Sequence, residues 1–235
     1  YPHGGAGSPG GCCGFYQPSN ELANSFKVDK DGLPLLDNSY RNEPYVTIRN
    51  ADTGEDAPLS VNTNVAVDPR IDFAIGRFGI PYKDWGFPKN NWIRDVANGG
   101  FFMPKKHVYT KKEQDEGLAA GNLHDGWAPG SAINLQYLSV RDCILLYAEC
   151  LANDGDLEGA MEMVNKIRER AAKDVNIIKI DGVPAGNYKI GLYPKTNPAY
   201  TNKEMCIKAI RMERKLELAM EGQRWFDLAR WGGSY

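Results

Sequence analysis

The chain has 235 residues, with 28 Lys and Arg against 30 Asp and Glu, and a net charge of -2 supplies no electrostatic reason for nucleic acid or an anionic membrane to be its main ligand. Apolar residues at 42% and charged residues at 25% are ordinary globular values, and the length suffices for a core that buries most apolar side chains. No run of 18 apolar residues occurs, which excludes a spanning helix. Glycine and proline are unevenly placed: residues 1–140 hold 17 of the 25 Gly and 11 of the 14 Pro. That density predicts loops with short strands over 1–140, and its fall predicts helices over 141–235.

In chain order, the start YPHGGAGSPGGCCG has neither a basic nor an apolar stretch of a signal peptide and makes a poor beginning for a folded domain, so the chain is expected to be an excerpt of a longer one. Cys12 and Cys13 are adjacent, and none of the five cysteines forms a C-x-x-C pair, so no metal or redox pattern arises. Phe15 and Tyr16 follow in a glycine-rich loop that suits either a ligand rim or a partner surface. VDKDGLP contains D-x-D-G, but the twelfth position from Asp29 is Tyr40 rather than Glu, so a tight turn is expected and not a calcium loop. The run FGIPYKDWGFPKNNW is a loop with large rings, and HDGWAPG sets Trp127 beside His124 in a turn.

Val140, Ile144, Tyr147, Ala148 and Leu151 form an amphipathic stripe that predicts a helix to about Asn153. Gly155 is expected as its left-handed stop and Asp156 as the cap of the next helix. The second arm carries Ala160, Val164, Ile167 and Ala171, with Lys166, Arg168, Glu169 and Arg170 on the wet side. Cys143 and Cys150, seven apart, are expected as small buried hydrophobes on one face. This hairpin resembles a tetratricopeptide-type unit, which buries its faces only against neighbours, so further helices are expected to complete it. A third helix is predicted from an Asn202 cap to Glu221, interrupted at Gly222 before WFDLARWG. Glu213, Glu217 and Glu221 line one of its faces, and with Arg211, Arg214, Lys215 and Arg224 nearby they read as an ion-pair network rather than a metal or acid-base site. No G-x-S-x-G nucleophile motif occurs, and Asp72, Asp84 or the Glu213 series make no persuasive glycosidase pair.

The segments SVRDCILLYAECLANDGDLEGAMEMVNKIRERA and CIKAIRMERKLELAMEGQRWFDLARWG resemble the two signature helical regions of SusD/RagB-type proteins. The likeness rests on Arg141-Asp142, Tyr147-Ala148-Glu149, Asn165, Arg168 and Arg170, then Glu213-Arg214, Glu217-Leu218, Glu221-Gly222, Arg224, Asp227-Leu228 and Arg230-Trp231-Gly232. Weaker upstream matches are QPSNELANSFKVDKDG and Asp68-Pro69-Arg70. The resemblance implies a mainly α fold of tetratricopeptide-like hairpins over 141–235 with a loop-rich, few-stranded ligand-binding region over 1–140. It implies a non-catalytic, cofactor-free, nutrient-binding outer-membrane lipoprotein on the cell surface, delivering oligosaccharide to a TonB-dependent barrel of the SusC type. A peptide-binding member and a purely structural interaction subunit are the alternatives. The lipid anchor is expected outside this chain, because GSPGG before Cys12 gives no apolar lipoprotein signal.

Sugar recognition needs aromatic faces for the C–H side of a pyranose and amides, carboxylates or Lys for its hydroxyls. By composition, residues 78–92 offer this best: Trp85 and Trp92 first, then Tyr82, with Asp84, Asn90 and Asn91 as the polar rim beside Lys83 and Lys89. Trp127 marks a second, lower-ranked surface. The competing reading is that these rings fold inward and seal the core.

Overall fold

The computed structural model describes residues 7–9, 14–42, 47–48, 60–61, 64–93, 100–120 and 130–233. Two 15-residue helices, α4 (Val140–Asp154) and α5 (Leu157–Ala171), form a hairpin closed by local signals alone. Ser139 Oγ caps the Arg141 N–H, Gly155 sits at φ 95°, and the Asp156 carboxylate accepts from the Gly159 N–H at 2.8 Å. A Cβ at Gly159 would lie 2.4 Å from Asp156 Oδ2, so glycine there makes room for the cap. A third long helix, α6 (Lys203–Glu217), starts at the Asn202 cap and lies against both arms. Small residues allow this approach: Ala148, Ala152, Ala160 and Ala209 are fully buried with Leu145, Met161, Val164, Ile210 and Cys206.

The seam of α4 differs from its expected stripe. Leu145, Ala148 and Ala152 face inward, whereas Val140 is 75% and Tyr147 56% exposed. Cys143 and Cys150 share a face, but it is exposed; only Cys206 is a buried thiol among the described cysteines. Contact with α5 and α6 selected the narrow alanine ridge because it brings the backbones closer than the Tyr147 side would. On α5, Ala160, Val164, Ile167 and Ala171 are buried as the spacing requires, but Arg168 is also completely buried rather than wet.

Upstream of residue 140 no long element forms among the described residues. Short helices α1 (Asn20–Asn24), α2 (Ile71–Ala74) and α3 (Lys111–Asp115), unforeseen in the sequence, interleave with two-residue antiparallel ladders. The ladders pair β1 (Thr47–Ile48) with β2 (Ser60–Val61), β3 (Ile75–Gly76) with β4 (Met103–Pro104), and β5 (Ala119–Ala120) with β6 (Gly130–Ser131). A fourth joins β7 (Lys179–Ile180) to β8 (Val183–Pro184). The D-x-D-G segment is a turn, with Asp29 Oδ1 accepting from the Asp31 and Leu33 N–H groups at 2.9 and 2.8 Å. The fold is mainly helical, and its loop-rich half is held by a core of its own around Phe26, Tyr40, Ile71, Ile75, Phe102 and Met103.

The α6 helix belongs to both cores: Cys206, Ala209 and Ile210 enter the helical one, Met212 and Leu216 the loop-half one. Residues 187–193 lace the halves further. Val67 N–H donates to Asn187 O, Gly191 N–H donates to Gly32 O, and the Asn165 amide holds Tyr193 through both backbone groups.

Charge closes the seam. Arg70 binds Asp68 through Nε and Nη2, and its Nη1 reaches Glu213 at 2.5 Å and Glu217 at 3.0 Å. Arg168 donates to Glu213 and to the Gly32 and Gly191 carbonyls. Arg141 and Arg170 meet Glu217, and Arg141 and Lys106 meet Glu221. The carboxylate face of α6 is thus an ion-pair network, but its cations come from other elements. Of the expected partners, Arg214 pairs instead with Asp142 and Asp227, Lys215 with Glu21, and Arg211 and Arg224 lie over the Trp231 ring.

Candidate ligand-binding trough

The aromatic run 78–92 turns mostly inward. Tyr82 N–H donates to Gly86 O and Trp85 N–H to Tyr82 O, a tight turn that drives the Tyr82 ring into the core. It meets Trp92 edge-on at 5.6 Å, and its hydroxyl donates to the Pro104 carbonyl. Gly76 makes this possible, because a Cβ there would come within 2.6 Å of the Tyr82 ring. Tyr82 and Trp92 are 0% and 1% exposed, so as ligand contacts they are corrected: both are core residues. Trp85 is half-buried and donates Nε1–H to Tyr109 O at 3.0 Å.

Asp84 is exposed, yet its carboxylate accepts from the Lys111 and Lys112 N–H groups at 2.7 and 2.9 Å, at the start of α3. Desolvation raises its pKa, these two donors outweigh that, and the carboxyl is held below its usual range. Asn90 and Trp92 belong to a 3-10 turn, Asn91 is exposed, and Phe87 at 51% is the ring of this run that faces solvent. Trp127 and His124 lie outside the described residues.

Exposed rings gather instead at the joint after α6. Met220 (φ 63°) and Gly222 (φ 83°) are both left-handed, and this double reversal redirects the chain into α7 (Gln223–Arg230). Trp225 and Phe226 then stand outward at 74% and 66% exposure. Tyr16, itself at φ 62° and 57% exposed, lines a groove of about 450 Å³ together with Trp225. Leu22, Leu218, Ala219 and Leu228 form its apolar floor. Partial burial raises the Tyr16 pKa, opposed by a hydrogen bond from the Gly222 backbone.

Glu21 marks the polar rim. Its carboxylate accepts from Lys215 Nζ at 2.8 Å, Tyr40 Oη at 2.8 Å and Arg41 Nη2 at 3.0 Å. Desolvation pushes its pKa upward, but Lys215 and the other donors overcome this and bring it to about 2. The Tyr40 hydroxyl is pushed up to about 12 by burial and by Glu21.

A second cavity of about 210 Å³ shares Tyr16 and Met220 with this groove and reaches Lys106 and His107. These two residues finish α6: Lys106 Nζ donates to the Glu217 and Ala219 carbonyls, and His107 Nε2 lies 3.1 Å from the Met220 carbonyl, an acceptor that needs a proton on Nε2. A third cavity of about 280 Å³ begins at Lys106. The second cavity thus borders both of the others, sharing Tyr16 and Met220 with the groove and Lys106 with the third cavity, and the three are together termed the trough at the end of α6. Among the described residues no His, Cys, Asp and Glu cluster has the makings of a metal site. Sequence reasoning missed Trp225 as a site residue; the available signal was two adjacent rings, Trp225-Phe226, in a short helix whose buried face is marked by Asp227.

The SusD family matches the chain over residues 1–235, and the chain belongs to that family, whose members are binding proteins rather than enzymes. A solved SusD superfamily protein from Bacteroides vulgatus ATCC 8482, at 1.55 Å resolution, is 21% identical, with a TM-score of 0.44, over 71% of this chain and 29% of its own. The chain therefore spans less than a third of that relative's length. Among curated proteins, none matches.

Proposed function

We propose that this chain supplies the glycan-binding surface of a non-catalytic, nutrient-binding outer-membrane lipoprotein, which passes oligosaccharide to a SusC-type TonB-dependent transporter. The observation that carries the reading is the groove between Tyr16 and Trp225, with two exposed rings over an apolar floor and a charged rim at Glu21 and Arg41. Rings of this kind take the C–H face of a pyranose while the rim orders its hydroxyls. Glu21 is unsuited to act as a general acid, since a carboxyl held at about 2 has no proton to lend near neutral pH, and its oxygens are engaged by Lys215, Tyr40 and Arg41. Trp85, Asp84, Asn90, Asn91 and the exposed Phe87 are proposed as a secondary contact surface, and Trp127 as a separate, lower-ranked one.

Affinity electrophoresis through a panel of polysaccharides tests this, with Tyr16→Ala and Trp225→Ala against the parent chain. Loss of a stacking ring at the centre of a site weakens binding by about tenfold or more. Unchanged mobility of both variants on every retarding polysaccharide refutes the assignment. Peptides that co-purify with the chain would place it with the peptide-binding members. A second reading, an interaction subunit, is favoured by the outer face at the start of α4, where Tyr137, Leu138 and Val140 are 78%, 83% and 75% exposed. Polar substitution of Leu138 and Val140 that abolishes partner capture without altering retardation by polysaccharide would assign that face to assembly.

A further inference from the structure

The far end of the trough differs chemically from the Tyr16–Trp225 end. The third cavity is bordered by Phe73, Lys83, Lys106, Arg141, Arg170 and Glu217, so it is cationic with a single large ring, Phe73, 44% exposed. The charges at this seam do not balance. Five cations (Arg70, Lys106, Arg141, Arg168, Arg170) share four carboxylates (Asp68, Glu213, Glu217, Glu221), leaving one positive charge in excess. Lys83 adds a further cation at the mouth, bonded to the Val108 carbonyl and facing Asp84 and Glu113 from the α3 side.

The donors are also unequal. Arg70 uses its Nε and both Nη atoms on carboxylates, Arg141 divides its fork between Glu217, Glu221 and Ser139, and Lys106 spends its ammonium on Glu221 and two carbonyls. Arg170 is the exception. It bonds Glu217 through Nη2 at 2.5 Å, while Nε and Nη1 meet no acceptor among the described residues, and its side chain is 49% exposed. Asn176 Nδ2 holds the Arg170 carbonyl at 2.7 Å and so fixes the end of α5 from which the guanidinium projects.

We propose that this cavity is a subsite for an acidic sugar residue, with Phe73 stacking on the pyranose and Arg170 taking one carboxylate or sulfate. The inference rests on the trough reading above and narrows its ligand to an anionic oligosaccharide. A planar guanidinium with two free donors matches either oxyanion, and the excess positive charge makes its arrival favourable where a neutral sugar gains only the ring. The cavity holds one residue rather than a chain; it shares Lys106 with the second cavity, which shares Tyr16 and Met220 with the aromatic groove that would take the rest of the oligosaccharide.

Isothermal titration with three trimers of one sugar separates the possibilities: galacturonic acid, sulfated galactose and neutral galactose. Wild-type chain is expected to bind at least one acidic trimer about tenfold more tightly than the neutral one, with an affinity that falls as salt rises. Arg170→Gln should abolish that preference, Phe73→Ala should weaken the acidic trimer several-fold, and Trp225→Ala should weaken all three. The carboxylated and sulfated arms tell which oxyanion is recognised. Equal affinity for charged and neutral trimers, or an acidic preference surviving Arg170→Gln, overturns the acidic subsite while a Trp225→Ala loss upholds the trough. Binding that ignores Trp225→Ala and Tyr16→Ala, or no binding of any trimer, overturns both. Arg170→Met, which removes the charge and keeps the aliphatic stem, provides the same reading if the Gln variant melts early.

Discussion

Glu213→Gln is the sharpest probe of what joins the two halves. The Glu213 side chain is fully buried on α6, with Oε1 2.5 Å from Arg70 Nη1 and Oε2 3.0 Å from Arg168 Nη1. Glutamine keeps the shape, so no cavity opens, but the balance becomes five cations against three carboxylates and an amide N–H is turned toward a guanidinium. Arg70 retains Asp68 and Glu217, whereas Arg168, also fully buried, is left with two carbonyls and Asp68 at 4.0 Å. Removing one partner of a buried pair costs about 3–5 kcal/mol, a large part of the about 5–15 kcal/mol that holds a domain folded. For a chain of this size that lowers Tm by about 6–20 °C. Thermal melting by circular dichroism and urea titration measure it. A double-mutant cycle with Arg168→Met should show a coupling of about 1–3 kcal/mol, because the double variant removes both the charge and the group stranded by its loss. A fall in Tm below about 2 °C would refute the reasoning.

Glu21, at about 2 when folded against an ordinary 4.5, contributes stability that is present above pH 4.5 and lost as pH falls from 4.5 towards 2. Glu21→Gln should therefore be less stable than wild type at pH 7 and flatten that part of an acid-melting profile; an unchanged slope would dismiss the Lys215 pairing. Gly76→Ala places a Cβ 2.6 Å from the Tyr82 ring and should cost about 1–3 kcal/mol in urea unfolding. Trp92→Ala should cost about 3–5 kcal/mol, as for other buried rings, whereas Phe87→Ala should stay within about 0.5 kcal/mol. Similar losses for both would contradict the inward turn of residues 78–92.

The sequence by itself determined what acts within a turn of helix. The Asn202 cap, the Gly155 reversal and the Asp156 cap each work across a few residues, and they place α4, α5 and the start of α6 where the spacing puts them. The family signatures and the charged nature of the Glu213 face were legible for the same reason. Only the tertiary structure decided which face of α4 is buried, since both Leu145 and Tyr147 can serve a buried stripe in the sequence and contact with α5 and α6 chooses the ridge that packs closest. It also decided which cations neutralise Glu213 and Glu217, because Arg70 lies 143 and 147 residues away along the chain. The same holds for the rings: Trp92 and Trp225 are both aromatic signals in the sequence, yet a missing Cβ at Gly76 lets Tyr82 and Trp92 close the core, and two left-handed residues after α6 turn Trp225 to the solvent.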